Sequence, residues 1–373
     1  MVLSVKKVKT PADRNQFIRL PWGIYSDFSL WVPPLISERR KFLSSENNPF
    51  LKESDVNLFL VISNGKTPVG RVALTINHSY NKTYSERVGF FGMFETINDE
   101  RVSNLLFNVA ETWCRKNQLN KLVGPVSLST NHECGLLIDG FDIPPVIGIP
   151  YNPSYYVSFM ESWGLSKVKD LVSLRLDLVN IPEYLESGVA RLRKRKRFTI
   201  RSIRLNEFKE ELEKMWEIYN SSWNANWGFV PMSREEFKYF ANEMRSFIRP
   251  EFCLIAEVKG EPAGFSLALP NINEVLKKIN GSLFPFGWAK FLWNKSDIKL
   301  YRVVALGVKK KYRRLGIDAV LYYEIYQRFL EKNIEWCDMS WVLEDNKDML
   351  VAIKRIGGTI YKRHRIYERN IRS

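Results

Sequence analysis

Two stretches of the chain share one arrangement of apolar and turn-forming residues. Residues 58–77 and residues 252–271 each place two apolar runs on either side of a short turn that contains glycine and proline. Apolar runs of this length around such a turn predict a β-hairpin. Three turn positions recur at one constant offset, Pro68, Gly70 and Asn77 in the first stretch and Pro262, Gly264 and Asn271 in the second. The two hairpins are therefore predicted to be copies of one element.

The apolar spacing downstream of each hairpin repeats as well. In the first copy, apolar residues recur at helical spacing before an apolar run at 121–125: Val102, Leu105, Leu106, Val109 and Trp113. In the second copy, the same spacing precedes an apolar run at 335–342: Leu321, Tyr322, Ile325 and Phe329. Each set predicts an amphipathic helix that leads into a strand.

The repeat extends along the chain and predicts an α/β (α+β) fold of two modules, residues 1–180 and residues 181–373. Each module is predicted to contain a strand, one or two helices, the hairpin, a further strand, and then helix, strand, helix and strand. In the second module the strands outside the hairpin are predicted at 198–203, 300–308, 335–342 and 359–367, and the helices at 206–219, 233–247, 317–332 and 346–356. The boundary is placed near 178–188, where Pro182 interrupts the pattern.

Most of the positive charge lies in the second module. The 373 residues carry 56 Lys and Arg against 41 Asp and Glu, a formal net charge of +15. Residues 1–190 hold 20 of the basic and 19 of the acidic side chains, so nearly all of the excess belongs to the C-terminal half. A polyanionic partner is therefore expected to bind that half. With 45% hydrophobic residues the chain can bury a core, which excludes a disordered protein.

The cysteines give no sign of a metal site or a disulfide framework. Cys114, Cys134, Cys253 and Cys337 are far apart, with no Cys pair and no His at the spacing of metal ligands. The first residues lack the continuous apolar segment of a signal peptide, and no window reaches the roughly 20 apolar residues of a spanning helix. These features predict a cytoplasmic protein that binds no metal.

A basic run follows the strand predicted at 300–308. The sequence passes from this strand through Arg313 and Gly316 directly into a predicted helix. Between Asp297 and Asp318 there is no acidic residue, and the basic residues are Lys299, Arg302, Lys309, Lys310, Lys311, Arg313 and Arg314. A junction of this kind directs backbone N–H groups and the positive end of the helix dipole at one point, which favours a bound pyrophosphate. The alternative is a solvated turn without a ligand.

This junction resembles motif A of the GNAT acyl-CoA-dependent acetyltransferases, whose Arg/Gln-x-x-Gly-x-Gly/Ala loop binds the pyrophosphate of coenzyme A. Arg313 and Gly316 match the motif, whereas Asp318 stands where the family has a small residue. The resemblance implies that acetyl-CoA or a longer acyl-CoA is the acyl donor. The cofactor-binding residues that it implies are Leu306, Gly307, Val308, Arg313, Arg314, Leu315, Gly316, Ile317, Asp318 and Asn346.

A second GNAT-like segment follows the strand predicted at 335–342. Asn346 and Gly357 keep the spacing with which the family begins and ends the helix after its fifth strand. Many members place a general-acid Tyr seven residues after the Asn, but this chain has Ile353 there. An acid would then have to come from Tyr361, Tyr367 or water.

The strand at 335–342 also carries the candidate catalytic groups. Alternation places Asp338 and Ser340 on one face, and the other face carries Cys337, Met339 and Trp341. A carboxylate in mid-strand is costly without a partner, and a raised pKa would suit Asp338 to deprotonate an ammonium substrate. The candidate catalytic residues are Asp338, Ser340 and Glu344. The alternative for Asp338 is pairing with an arginine, and Asp345 is expected to cap the next helix.

Aromatic and basic segments suggest where substrates bind. The segment 222–231 lies in a region that shapes the acceptor site of GNAT folds, and the candidate substrate-binding residues are Trp223, Asn226, Trp227 and Trp341. Core packing is the alternative for Trp223 and Trp227. The insert 283–295 mixes Phe, Trp and Lys, which suits a lid over an acyl chain, a peripheral membrane contact or packing against the first module. The basic run 191–197 is expected to be a solvated helix end, with phosphate contact as the alternative.

The first module is predicted to keep the scaffold without the cofactor loop. The segment 96–101 contains the acidic residues Asp99 and Glu100, where the GNAT motif needs an open anion site. No coenzyme A is therefore expected there. Cys134 and His132 are two residues apart, a spacing that does not favour a nucleophile and its base, and a wall that shapes the substrate site is the preferred interpretation.

Nearly the whole chain is similar to a family of bacterial tandem-GNAT proteins. The similarity rests on segments such as 89–95, 139–142, 150–153 and 226–231. It implies two tandem GNAT-like modules, each a mixed, mostly antiparallel central sheet flanked by helices.

These features predict an acyl-CoA-dependent N-acyltransferase with a small-molecule or peptide amine as acceptor. One alternative is an aminoacyl-tRNA-dependent transferase of the Fem type, which also uses paired GNAT-like modules and whose tRNA partner would explain the C-terminal charge. The other alternative is a non-catalytic acyl-CoA-binding module, which the missing Tyr and the altered loop favour.

Overall fold

A computed structural model of the chain describes residues 2–282 and 298–372. The insert 283–295, with its predicted lid or membrane contact, lies outside the described residues.

Helices and strands are interspersed along the described part of the chain. The α-helices are Pro11–Ile24 (α1), Ile36–Phe42 (α2), His78–Tyr84 (α3), Glu100–Lys116 (α4), Tyr155–Ser162 (α5), Glu183–Lys194 (α6), Phe208–Ser222 (α7), Arg234–Met244 (α8), Asn273–Ile279 (α9), Ile317–Glu331 (α10) and Lys347–Arg355 (α11). The strands are Leu3–Lys7 (β1), Ser54–Ser63 (β2), Thr67–Asn77 (β3), Val88–Thr96 (β4), Lys121–Gly124 (β5), Leu136–Asp139 (β6), Ser166–Asp177 (β7), Thr199–Ser202 (β8), Cys253–Val258 (β9), Glu261–Pro270 (β10), Leu300–Val308 (β11), Trp336–Leu343 (β12) and Thr359–Asn370 (β13). Both predicted hairpins are confirmed, as β2–β3 and β9–β10.

The chain divides into two compact units, neither of which is continuous in sequence. Unit 1 contains the described residues 2–171, 273–282 and 362–372, and unit 2 contains 172–272 and 298–361. The boundaries pass through β7 and β13, so each of these strands has residues in both units. The division at residue 180 concerns the duplication of the sequence and stays a prediction.

Unit 1 contains a mixed sheet whose strand order is β1-β2-β3-β4-β5-β13. Neighbouring strands pair antiparallel except β4 and β5, which pair in parallel. The amphipathic helix predicted before β5 is α4, and its apolar face, including Val102, Leu106 and Trp113, packs into the core with Phe91. The apolar positions that predicted the helix therefore form the buried face of α4.

Unit 2 repeats this arrangement in the order β12-β11-β10-β9-β8. Only β11 and β12 pair in parallel among these neighbours. One core contains residues of α6 and α10, including Val189 and Phe329, and a separate core contains residues of α7 and α8, including Leu212 and Ala241. The predicted fold class, with mostly antiparallel sheets flanked by helices, is confirmed.

A β-bulge interrupts the parallel-paired strand in each unit. In unit 2, Ala268 pairs with Val303 and Leu267 pairs with Ala305, which leaves Val304 as the extra residue of β11. In unit 1, the register shifts between Arg71 and Ala73 of β3 opposite β4. A bulge bends its strand and increases the local twist, so each bulge directs the end of the strand away from its previous course.

The proposed module boundary near 178–188 contains a helix that the sequence interpretation missed. Pro182 is the N-cap of α6 rather than the centre of a linker. The signal was present in the sequence, because Leu185, Val189 and Leu192 are spaced four and three residues apart and all three pack against the core. The basic run 191–197 is exposed at the C-terminal end of this helix apart from Leu192, as expected of a solvated helix end.

A buried ion-pair network joins β8, α7 and β9 in unit 2. The Arg201 guanidinium donates to Glu211 over 2.6 Å and to Glu257 over 2.8 Å, and Lys214 lies 3.3 Å and 3.1 Å from the same two carboxylates. Burial raises the pKa of Glu211 and of Glu257, but the hydrogen bonds and charges of Arg201, together with those of Lys214, outweigh it and leave both pKa values below the ordinary value. The carboxylates are therefore held in the charged form.

We expect the substitution Arg201→Met to lower the free energy of unfolding by about 3 kcal/mol, because it leaves the buried Glu211 carboxylate without its main partner. The depressed pKa values give stability that is fully present above the unfolded value of 4.5 and is lost as the pH falls through the lower folded values. The difference between the two proteins should therefore shrink in acid. Denaturant unfolding at pH 7 and pH 4 measures both effects.

The matched control is Arg204→Met, which breaks the exposed Arg204–Glu207 pair. It should cost less than about 1 kcal/mol. Equal losses in the two variants would contradict the assigned role of the Arg201 network.

Candidate functional site

The parallel strands β11 and β12 pair over only part of their length. Their register runs from Leu300 opposite Trp336 to Val303 opposite Met339. Beyond this last pair β11 continues to Val308 and β12 to Leu343, and no further pairing joins them among the described residues. The edge of β11 from 304 to 308 therefore faces an opening, which we call the strand opening.

Three of the predicted cofactor-binding residues, Leu306, Gly307 and Val308, lie on this edge segment. A Cβ atom at Gly307 would stand 2.4 Å from Cη2 of Trp223, so the absence of a side chain lets the indole ring lie against the strand. The neighbouring Ser222 hydroxyl is buried and has no hydrogen-bond partner among the described residues. The end of α7 thus brings an aromatic ring and a spare hydroxyl to the β11 segment.

The basic turn after β11 is tied to the same helix end. The Arg313 guanidinium donates to the Ser222 carbonyl over 2.8 Å and to the Val308 carbonyl over 3.4 Å. Lys309 is buried and pairs with Glu217 of α7. Since these two cations are used within the protein, Lys310 and Arg314 are the exposed basic groups of the turn for which the structure records no acidic partner among the described residues.

The turn ends at the N-terminus of α10. Gly316 is the N-cap residue and has φ +80°, a conformation that glycine adopts without strain, and Arg314 before it has φ +69°. No side chain caps this helix, so its first N–H groups have no side-chain cap among the described residues, and the predicted residues Leu315, Ile317 and Asp318 lie beside them. A Cβ at Gly316 would stand 2.5 Å from Leu192, which places the basic end of α6 against this turn.

The corresponding edge in unit 1 is covered by the chain itself. After β4 and β5 pair up to Phe90 and Val123, the next residues of the chain follow β4. The Val126 N–H donates to the Phe91 carbonyl over 2.7 Å, and the Met93 N–H donates to the Ser127 hydroxyl over 3.4 Å. A Cβ at Gly92 would stand 2.0 Å from the Val126 carbonyl oxygen. Backbone thus fills in unit 1 the position that is open in unit 2.

The loop that follows in unit 1 packs His132 and Cys134 into its interior. The imidazole ring lies edge-on to Phe42 and to Phe50, with centroids 5.3 Å and 5.2 Å away. Cys134 is buried, and its backbone forms an isolated antiparallel β-bridge with Val126. Both residues therefore support the loop that covers β4.

A buried polar cluster lies one residue before the strand opening. Asp338, which is fully buried, accepts a hydrogen bond from the Tyr361 hydroxyl over 2.7 Å and one from the Ser340 hydroxyl. The Arg302 guanidinium, directly opposite in register, lies 3.7 Å from the Asp338 carboxylate and donates to the Ser340 hydroxyl over 3.2 Å. The expectation that Asp338 and Ser340 share a face is confirmed, and the carboxylate has the arginine partner that was its alternative. Its role as a base stays a prediction.

The predicted face of Trp341 is wrong, whereas its role in substrate binding stays a prediction. Strand alternation placed it with Cys337 and Met339, but its ring lies 5.5 Å from the Arg302 guanidinium, on the face of Asp338. Val342 joins Cys337 and Met339 in the core instead. The alternation breaks at the Ser340–Trp341 peptide, which is cis. The Trp341 indole N–H is buried and has no acceptor among the described residues, so it is a spare donor in this cluster.

The cluster keeps Tyr361 protonated. Burial raises the pKa of its hydroxyl, and the negative charge of Asp338 raises it further, to well above the ordinary value of 10.0. Burial likewise raises the pKa of the Cys337 thiol behind the cluster. Tyr361 is therefore a neutral proton donor whose hydrogen-bond acceptor is a carboxylate.

The remaining predicted residues lie around these groups. Asn346, and not Asp345 as predicted, caps α11, since its side chain accepts from the Met349 N–H over 3.3 Å. Glu344 lies in the turn between β12 and α11, and Ile353 is fully buried in the core. Asn226 and Trp227 are half-buried in the turn after α7, where the Asn226 N–H donates to the Trp223 carbonyl.

Sequence interpretation missed Arg302 as a member of the cluster. The signal was an arginine within the apolar run of β11, which is costly unless a partner faces it. Its pairing with Asp338 depends on the register of two strands that are far apart in sequence. In residues 2–282 and 298–372, no group of three or more His, Cys, Asp or Glu side chains could hold a metal ion. Within the same ranges, every helix is too short or too polar to cross a lipid bilayer.

The fold and the strand opening define a tandem GNAT protein. A solved structure described as a tandem GNAT protein from the clavulanic acid biosynthesis pathway superposes with a TM-score of 0.59 at 11% identity, over 100% of this chain and 99% of that one. This likeness establishes the fold. No protein-family model matches the chain.

Sequence relatives give the family. The chain is 37% identical to protein YghO of Escherichia coli over 96% of its length and 93% of the relative. It is 35% identical to bacterial ceramide synthase of Caulobacter vibrioides over 98% of its length and 97% of the relative. The chain belongs to the family that contains these two proteins, and its fold is that of tandem GNAT proteins.

We expect Arg302→Met to lower the free energy of unfolding by about 3–5 kcal/mol, because it removes the cation opposite a fully buried carboxylate. Adding Asp338→Asn should restore at least about half of this loss, since the double variant buries no uncompensated charge. Denaturant unfolding of the two single variants and the double variant measures the coupling.

Arg175→Met serves as the control, because the Arg175–Asp177 pair is largely exposed. It should cost less than about 1 kcal/mol. Additive losses in the Arg302→Met/Asp338→Asn double variant would show that the two groups do not stabilise each other.

Proposed function

We propose that this protein is an acyltransferase that moves an acyl group from a coenzyme A thioester to an amine. The observation that carries the proposal is the open edge of β11, which leads directly into the uncapped N-terminus of α10. The same edge is covered in unit 1. One site in unit 2, with unit 1 as a supporting copy, is the arrangement we infer.

The residues of the strand opening fit the parts of acyl-CoA. Pantetheine contains two amide groups, which can pair with the backbone of 304–308 as a short strand would. The pyrophosphate can accept from the first N–H groups of α10, with Lys310 and Arg314 as nearby cations. The Ser222 hydroxyl beside β11 and the Trp341 N–H of β12 have no hydrogen-bond partner among the described residues, so they are further donors. Acetyl-CoA and longer acyl-CoA share all of these groups.

In the proposed reaction the amine nitrogen attacks the thioester carbonyl, so that a C–N bond forms and the C–S bond breaks. The amine loses a proton and the departing thiolate gains one. We assign the donation to the thiolate to the Tyr361 hydroxyl, which takes up the proton of the amine through water as it gives its own, so that no tyrosinate forms beside the Asp338 carboxylate. Asp338 is the positioning residue that accepts the Tyr361 hydrogen bond. Asp338 itself is fully buried, which favours this indirect role over direct deprotonation of the substrate.

The acceptor class follows from the name of one relative. A ceramide is the amide that forms when a fatty acyl group is joined to the amino group of a long-chain amino alcohol. Since the chain shares its family with bacterial ceramide synthase, we propose such a lipid amine as the acceptor, in preference to a peptide amine. We also propose that the reaction takes place in the cytoplasm.

A second candidate function is transfer from an aminoacyl-tRNA. The observation in its favour is the exposed basic end of α6, where Arg191 and residues 193–197 lie beside the α10 turn. Contacts with tRNA phosphates would weaken steeply with salt. Binding of tRNA that falls at least about tenfold between low and physiological salt, without saturable binding of acyl-CoA, would favour this second function.

We expect saturable binding of acetyl-CoA or a longer acyl-CoA, and Lys310→Glu should weaken it at least about tenfold because a carboxylate replaces a cation beside the pyrophosphate. Lys310→Gln is the matched control, since it has nearly the same size without the charge. Isothermal titration measures the three affinities. No saturable binding by the wild type would refute the proposal, and equal losses in both variants would refute the position of the pyrophosphate.

We further expect Tyr361→Phe to lower kcat about a hundredfold for transfer to an amine, because it removes the proton donor to the leaving thiolate. Tyr367→Phe should leave kcat unchanged, since that hydroxyl hydrogen-bonds to Glu161 and not to the cluster of Asp338. Single-turnover release of free thiol follows the chemical step. A larger loss of kcat in Tyr367→Phe than in Tyr361→Phe would show that Tyr361 is not the proton donor. Turnover of any acyl donor by the wild type would exclude the non-catalytic binding module.

A further inference from the structure

The C-terminal end of α6 lies against the N-terminus of α10. Both helices contribute side chains to one core of unit 2. Before the start of α6, the Asn180 carbonyl accepts a hydrogen bond of 3.0 Å from the Tyr326 hydroxyl, which belongs to the C-terminal half of α10. At the other end of α6, a Cβ atom at Gly316 would stand 2.5 Å from the Leu192 side chain. The two helices therefore run antiparallel, and α6 ends beside the basic turn that precedes α10.

This end of α6 carries more positive charge than the protein itself pairs. Basic side chains occupy position 191 and positions 193–197, and all of them are exposed. Arg193 is used within the protein, since it pairs with Glu324 of α10 and its guanidinium lies 5.3 Å from the centroid of the Tyr323 ring. For the other basic side chains of the run, the structure records no acidic partner in the parts of the chain that it describes. These cations are therefore available to an anionic ligand.

Arg195 is the cation of this run that the helix directs toward the α10 turn. Residues three apart on a helix lie on the same face, whereas residues two apart do not. Arg195 follows Leu192 by three positions and keeps helical backbone angles as the C-cap of α6, so it lies on the face that contacts Gly316. Lys194 follows Leu192 by two positions and lies on another face. Two adjacent, exposed cations thus differ in their position relative to α10.

The proposed acyl donor has a charge that the α10 turn does not neutralise. Coenzyme A contains a pyrophosphate and, on its ribose, a separate phosphate monoester. The N-terminus of α10, with Lys310 and Arg314, was assigned to the pyrophosphate. A phosphate monoester carries a charge of about −1.5 to −2 at pH 7 and offers three acceptor oxygens, for which an arginine is a suitable bidentate donor. A second group of cations next to the first would complement this monoester.

We propose that the basic end of α6, with Arg195 as the principal contact, binds the ribose phosphate monoester of the acyl donor. The proposal rests on the proposed acyl transfer and specifies which further part of the donor unit 2 recognises. It also gives the exposed charge of α6 a ligand other than tRNA. In this arrangement α10 binds the pyrophosphate and α6 binds the monoester, so the two antiparallel helices share one cofactor.

The experiment compares coenzyme A with dephospho-coenzyme A, which lacks only the ribose phosphate, by isothermal titration. The wild type is expected to bind coenzyme A at least about tenfold more tightly. Arg195→Gln should lower this preference at least about fivefold, because it removes the charged donor to the monoester, and should leave the affinity for dephospho-coenzyme A within about twofold. The preference is a ratio within one protein, so a partial loss of folded protein does not change it.

The matched control is Lys194→Gln, which removes one positive charge from the same exposed turn of α6. It should change the preference by less than about twofold, since a charge on the far face of an exposed helix is screened by solvent and salt. Equal losses of preference in the two variants would overturn the assignment to Arg195 and indicate a general effect of charge.

The remaining outcomes separate this site from the proposed function. Equal affinity of the wild type for coenzyme A and dephospho-coenzyme A would overturn the monoester site and leave the acyltransferase intact. Absence of binding by both ligands would overturn the proposed function, and the monoester site with it.

Discussion

The separation of two parallel strands determines the rest of the candidate site. Backbone N–H and C=O groups need partners, and a strand that loses its neighbour exposes a row of them. In unit 2 this happens beyond Val303 and Met339, next to the bulged residue Val304. The turn, the N-terminus of α10 and the end of α7 are arranged around the segment 304–308. The separation therefore creates a polar edge beside a helix N-terminus.

The two units share one scaffold but differ at the edge of the strand that pairs in parallel. Both units contain a hairpin, a bulged strand and a parallel pair followed by an opening. Unit 1 fills its opening with Val126 and Ser127, whose backbone and side chain satisfy β4. Unit 2 leaves the edge open and places a buried, charge-neutralised cluster beside it, with Arg302 against Asp338. Duplication thus explains the fold, and local differences in covering the edge explain why we assign chemistry to one unit.

The parts that the sequence predicts are those governed by local periodicity. The hairpins, α4, β11 and α10 follow from apolar spacing and turn residues within a short window. The pairing of Arg302 with Asp338, the cover over β4 and the Ser222 contact with Arg313 join residues that are distant in the chain, and no local pattern encodes their register. Trp341 shows the same limit at short range, since its ring lies on the face of Asp338 and not on the face that strand alternation predicts. Local patterns therefore locate the elements that carry the candidate residues, but they do not give the partners of those residues.

The central claim is that the open β11 edge and the α10 turn bind the acyl thioester. Hydrogen–deuterium exchange with mass spectrometry tests it directly, because backbone N–H groups that gain a partner exchange more slowly. Addition of acetyl-CoA or a longer acyl-CoA is predicted to slow exchange in peptides that cover 303–318 and to leave peptides that cover 90–97 and 126–135 unchanged. Protection confined to the unit 1 peptides, or no protection of 303–318 at saturating ligand, would contradict the claim.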